Sequence, residues 1–177
     1  MLKCLGIDPG LARVGYAVLL QEGHLLRPLG FGCIETRPKT PLPCRLNIIY
    51  DRLREEIERA SPDFLSVEKL FFGRNTTTAE SVWQARGVVL LLANQFGLPV
   101  LEPKPSQIKL AVCGSGTAPK EQVQRMVQRL LGLSEIPRPD DAADAIAAAV
   151  TGFSLFRRER KISLSQSGGS HAPFSLR

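Results

Sequence analysis

Histidine is nearly missing from this chain, with only His24 and His171 among 177 residues. Neither lies near another soft ligand, so a zinc or copper site is excluded, and any metal centre must be built from oxygen donors. Four cysteines, Cys4, Cys33, Cys44 and Cys113, are scattered with no C-x-x-C pair. They read as small buried hydrophobes in a reducing compartment rather than as disulfides. Long apolar runs are absent too. A run such as Val88 to Ala93, which none exceeds, falls far short of the roughly 18 residues that a membrane helix needs. The N-terminus opens directly into Leu2-Lys3-Cys4-Leu5-Gly6-Ile7 with no small-residue cleavage pattern behind it. A cytoplasmic protein without a membrane span is the expectation.

What is present is an ordinary globular composition, 44% hydrophobic, at a length that suits one domain. The formal net charge of +6 is uneven: residues 157–177 carry Arg157, Arg158, Arg160, Lys161 and Arg177 against Glu159. A nearly neutral body, 1–156, is therefore predicted to carry a basic, flexible tail, 157–177, suited to a polyanion.

Period-2 and short apolar runs predict strands over Leu2–Ile7, Val14–Leu20 and Leu25–Glu35, the last an edge strand carrying Pro28. Short turns at Asp8-Pro9-Gly10 and Glu22-Gly23 join them into an antiparallel meander. From Pro43 the period changes, and Leu46, Ile49, Tyr50, Leu53 and Ile57 line one helical stripe under a charged outer face. A fourth strand is predicted over Phe64–Glu68, a helix over Thr78–Phe96, a brief strand over Val100–Glu102, and helices near 105–112, 119–131 and 141–155. Right-handed crossovers then place the fourth strand beside the first, giving an α/β fold with a five-stranded mixed sheet in the order 3-2-1-4-5 flanked by helices. Asp8 and Glu68 end the two neighbouring strands at the topological switch, where open α/β sheets collect their ligands.

Two carboxylates side by side repel, and burial makes this worse unless a divalent cation joins them. Pro139-Asp140-Asp141-Ala142-Ala143-Asp144 supplies further acids. Asp141 and Asp144, three apart, share a helix face, while Asp140 after proline reads as the helix cap.

These segments carry a resemblance. Gly6-Ile7-Asp8-Pro9-Gly10 with Gly15-Tyr16, Glu68-Lys69-Leu70-Phe71-Phe72, Gln84-Ala85-Arg86-Gly87, Gly114-Ser115-Gly116 and Asp141-Ala142-Ala143-Asp144-Ala145 occur in order and look like the motifs of the RuvC resolvase family over residues 2–155. The resemblance implies a ribonuclease H-like fold and a dimeric hydrolase that cuts four-way (Holliday) DNA junctions in recombination and repair. It implies Asp8, Glu68, Asp141 and Asp144 as catalytic ligands of two Mg²⁺ ions, with Mn²⁺ able to substitute, and nicks ending in 5′-phosphate and 3′-hydroxyl. It places Lys109 and Lys120 near the scissile strand and Phe71 against unstacked bases at the crossover, and names RuvA and RuvB as branch-migration partners. Arg74, Asn75 and Arg86 are expected phosphate contacts. The helix 78–96, apolar around much of its circumference between Val88 and Ala93, suits a homodimer interface.

Two rivals are weaker. Asp8-Pro9-Gly10 with Gly15 also resembles the phosphate loop of actin-like ATPases, which need a second lobe that this length does not supply. A DNA-binding module without activity would not need all four acids. Ser106-Gln107-Ile108-Lys109 lacks the companion motifs of an S-x-x-K enzyme, and Gly114 to Lys120 lacks P-loop spacing.

Overall fold

A computed structural model describes residues 1–70 and 76–167. The elements follow in the order β1 (Leu2–Asp8), β2 (Arg13–Glu22), β3 (Leu25–Glu35), α1 (Leu42–Ala60), β4 (Phe64–Val67), α2 (Thr76–Gln95), β5 (Val100–Leu101), α3 (Pro105–Cys113), α4 (Lys120–Leu130) and α5 (Asp140–Ser167). The sheet order is β3-β2-β1-β4-β5, as the crossover argument requires. β1 pairs antiparallel with β2 and parallel with β4, so the longest-range pairing in the sheet runs through its centre. Pro28 sits opposite Leu19 on the edge strand, next to the register irregularity at Val18 and Leu19. An edge is where a residue without an amide hydrogen costs the ladder least.

The pleat of β1 sorts its residues between two cores. Leu5 and Ile7 join Val14, Val18, Leu65 and Val67 under α1 and α2, where Ile49, Leu53, Ile57, Val89, Leu92 and Ala93 are buried. Cys4 faces the other side, with Ala17, Leu19 and Phe64 under α3, α4 and α5. Period-2 alternation carries Gly6 and Asp8 to that same second face.

Helix α5 lies against this second face more closely than ordinary side chains would allow. Its alanines at 142, 143, 145, 147, 148 and 149 are all buried. A Cβ at Gly6 would meet the carbonyl of Ala145 and the side chain of Ala149, and one at Gly15 would strike the carbonyl of Asp141. Gly152 makes the same allowance for Ser66, whose hydroxyl donates to the carbonyl of Ala148 at 2.6 Å. Further along, Phe64 meets Phe153 edge-on and stacks on Phe156 with centroids 4.3 Å apart. Fixed at several points along its length, α5 has its first turn held over the carboxyl ends of β1 and β4.

Three expectations change. α5 does not stop near 155: it continues past the boundary placed at 157, so Arg157, Arg158 and Arg160 are exposed on a helix rather than on a loose tail. Phe156 explains the continuation, since its stacking on Phe64 holds the helix as it runs on, and the Arg160 guanidinium lies over the Phe156 ring at 5.9 Å from its centroid. Among the cysteines only Cys4 is buried, while Cys44 is exposed and all four are free thiols. Asp140 is the first helical residue and not the cap; its carboxylate turns to Arg138 and Lys120 instead of its own helix amides.

Candidate active site

Asp8 is the last residue of β1, and Glu68 directly follows β4. The parallel register pairs Ile7 with Val67, and the amide of Glu68 donates to the carbonyl of Ile7 at 3.3 Å, so the two carboxylates stand level on adjacent strands. Asp141 and Asp144 come down from the first turn of α5 onto the same end of the sheet, by the close approach at Gly15 and Gly6.

Electrostatics report the crowding. The Asp8 carboxyl is pushed up to about 8, first by burial and then by the charges of Asp144, Glu68 and Asp141, with Lys120 pulling the other way. Burial and Asp144 raise Glu68, against Lys109 and Lys120. Asp144 is raised by burial even though it accepts a hydrogen bond from Lys120. Burial alone would lower the Lys120 ammonium, but its pairing with Asp144 outweighs that and raises it. Several partly buried acids forced toward their neutral forms in one place are the mark of a site short of positive charge.

Two of the acids are occupied with cations from the chain itself. Lys120 Nζ lies 3.1 Å from Asp144 and 3.6 Å from Asp140. Arg13 Nε lies 3.1 Å from Asp141 Oδ2, yet that oxygen is buried and takes no hydrogen bond. The geometry therefore counts as charge proximity, not as a made hydrogen bond. As the side chains stand, with Asp141 beside Arg13 and Asp144 beside Lys120, no three ligand-type side chains among the described residues are arranged to hold one ion. The donor set still fits a hard divalent cation: four carboxylates, no nitrogen or sulfur, one acid pushed toward its neutral form by burial and by its neighbours, and one buried oxygen without a donor.

Beside the acids a cleft of about 270 Å³ is lined by Glu68, Pro105, Ile108, Lys109, Lys120, Val123 and Asp144. Lys109 from α3 and Lys120 from the start of α4 thus reach the acids from opposite elements, where a backbone phosphate could be met. Arg86 does not belong here. It is 4% exposed, and its guanidinium pairs with Glu102 at 2.9 Å, so it is not offered to a phosphate on the surface. Phe71, Arg74 and Asn75 lie outside the described residues. Arg13 is the residue that sequence reading missed; its position on β2, two residues before Gly15, was the available signal.

The sheet order, the carboxylates at the ends of its two central parallel strands and the acidic helix crossing them define a metal-dependent nuclease of the ribonuclease H-like class. Residues 4–152 match the family described as crossover junction endodeoxyribonuclease RuvC. The RuvC of Moorella thermoacetica is 54% identical over 160 residues, covering 89% of this chain and 95% of the relative. That of Desulfitobacterium hafniense is 53% identical over 146 residues, 82% and 88% of the two chains. The structure of Thermus thermophilus RuvC in complex with a Holliday junction substrate superposes with a TM-score of 0.85 at 37% identity, over 90% of this chain and 97% of the other. The chain belongs to the RuvC family.

Proposed function

We propose that this chain resolves four-way DNA junctions by nicking phosphodiester bonds symmetrically, leaving 5′-phosphate and 3′-hydroxyl ends. The observation that carries the reading is the collection of Asp8, Glu68, Asp141 and Asp144 at one end of the sheet, where burial and then the charges of the other three acids drive the Asp8 carboxyl up to about 8. Asp8, Glu68, Asp141 and Asp144 would hold Mg²⁺ or Mn²⁺, two ions per subunit. Bound there, such ions supply Lewis-acid activation of water and neutralise charge developing on the phosphoryl oxygens. The chain's own residues supply position. Asp8 and Glu68 are fixed by strand register, Asp141 and Asp144 by the glycine contacts under α5, and Lys109 and Lys120 line the cleft through which a phosphate would enter.

A homodimer suits two symmetric cuts. The outer side of α2 offers a surface for it, since Leu91 is 52% exposed and Trp83 is exposed one helical stripe away. Arg157, Arg158 and Arg160 are exposed on the C-terminal half of α5, away from the acids, and their charge suits a duplex arm. RuvA and RuvB are proposed partners and the cytoplasm the proposed location. No helix among the described residues is long and apolar enough to cross a membrane.

The test is a synthetic four-way junction and a matched linear duplex, each incubated with Mg²⁺, with Mn²⁺ and with chelator. Paired nicks in the junction alone, lost on chelation, are expected. Equal cutting of both substrates, or cutting that survives chelation, would refute the reading.

A further inference from the structure

Arg13 opens β2, and the alternation that sends Ala17 and Leu19 to the α5 face sends Arg13 there as well. It therefore stands at the same end of the sheet as Asp8, beside the first turn of α5. Its guanidinium lies 3.1 Å from Asp141 Oδ2 and is about half exposed, while that oxygen is fully buried. The contact has the wrong line for a hydrogen bond. What remains is a positive charge standing over a buried carboxylate oxygen that has no donor.

This is the position a metal ion would need. An oxygen turned to a guanidinium is not presented to an ion, and a fixed positive charge at that distance repels a second one. Lys120 also pairs with an acid of the cluster, Asp144, but through a hydrogen bond, and it lines the cleft beside Glu68, so its removal would change several things at once. Arg13 touches the cluster only through Asp141 and is the cleaner case.

We propose that Arg13 is a counter-ion which a divalent cation must displace from Asp141, so that this residue sets how readily the acid cluster fills. The proposal rests on the metal-dependent reading above. In the ion-free protein Arg13 shields Asp141 from the neighbouring acids and holds its carboxylate aside. When an ion is taken up, the side chain has to swing out, which its half-exposed setting permits. The loss of that contact opposes binding.

The experiment is calorimetric titration of the intact protein with Mn²⁺, without DNA, for the unmodified chain and for Arg13→Gln and Arg13→Lys. Arg13→Gln is expected to bind Mn²⁺ about threefold more tightly, the scale a partly exposed ion pair supports. Arg13→Lys should stay near the unmodified value, and the gap should narrow as salt rises. If the glutamine variant does not fold by circular dichroism, Arg13→Met, uncharged and of similar length, takes its place. Equal or weaker binding by the uncharged variant would overturn the proposal while leaving the metal site standing. No Mn²⁺ uptake by the unmodified protein would overturn both.

Discussion

Gly15 lies directly across the β1–β2 pair from Asp8, and the main-chain carbonyl of Asp141 occupies the space that a side chain at Gly15 would need. One absent methyl group thus joins two parts of the site that are distant in sequence. Gly15→Ala should push the first turn of α5 off the sheet at a cost of about 1–3 kcal/mol, as overpacking does. Cleavage of a four-way junction should fall on the order of a hundredfold, since ligands displaced by an ångström misplace the chemistry. Unfolding and cleavage measured on the same preparation check this, and near-normal cleavage would show that α5 is not positioned by this contact.

A second prediction concerns pH without metal. In the fold Asp8 keeps its proton up to about 8, whereas its ordinary value is 3.8. The folded chain therefore binds more protons than the unfolded one across that interval. Its contribution to stability is complete below the ordinary value and is lost as pH rises through the folded one. Glu68 and Asp144, both raised, act in the same direction. Melting in chelator should thus drop as pH rises from about 4 to about 8, and Mg²⁺ should restore it at the upper end. Asp8→Asn should flatten the drop, abolish cutting and leave junction binding largely intact. A melting temperature that climbs with pH in chelator would contradict the crowding.

Asp140 and Asp141 should separate cleanly. Asp141→Asn keeps the side chain's size but removes a ligand charge, so it is expected to eliminate cleavage with little change in stability. Among the described residues Asp140 pairs with Arg138 and Lys120, in a partly exposed setting. Asp140→Ala should preserve most activity and cost at most about 0.5 kcal/mol, the scale of an exposed ion pair and not of a lost helix cap. Thermal unfolding with paired cleavage assays decides between them, and the opposite pattern would move the third ligand by one residue.

The outer face of α2 offers a test of assembly. Leu92 is fully buried under the sheet, whereas its neighbour Leu91 points away. Leu92→Glu should prevent folding, because an unpaired charge would enter the core. Leu91→Glu should fold and sediment as a monomer where the unmodified protein sediments as a dimer. A folded Leu91→Glu dimer would place the interface elsewhere.

Much of this architecture could be read from the sequence because it rests on local signals. The meander follows from short turns and the crossovers from handedness, and together they put Asp8 beside Glu68 before any coordinates are seen. What escaped was contact between distant charges. Arg86 sits beside Gly87 on a helix and reads as surface, yet its side chain is buried and pairs with Glu102, just after β5. Arg13 lies just before the strand predicted from Val14, and only the descent of α5 brings Asp141 to it. Asp140 has the right type and neighbour for a cap, but Lys120 and Arg138 compete for its carboxylate. The end of α5 was misplaced for a similar reason: charged residues after 156 suggest a break, while Phe156 holds the helix to Phe64.

The acids of α5 share a helix with residues that contact β1, β2, β4, α3 and α4. No hinge or loop stands between the ligands and the most protected part of the fold. Amide hydrogens around Asp144 to Ala149 should therefore exchange only when the whole domain opens, at the slow limit for the molecule. The catalytic end of the helix then has no private route to disorder, so heat should not yield a folded but inactive form. Inactivation and loss of structure will trace one transition.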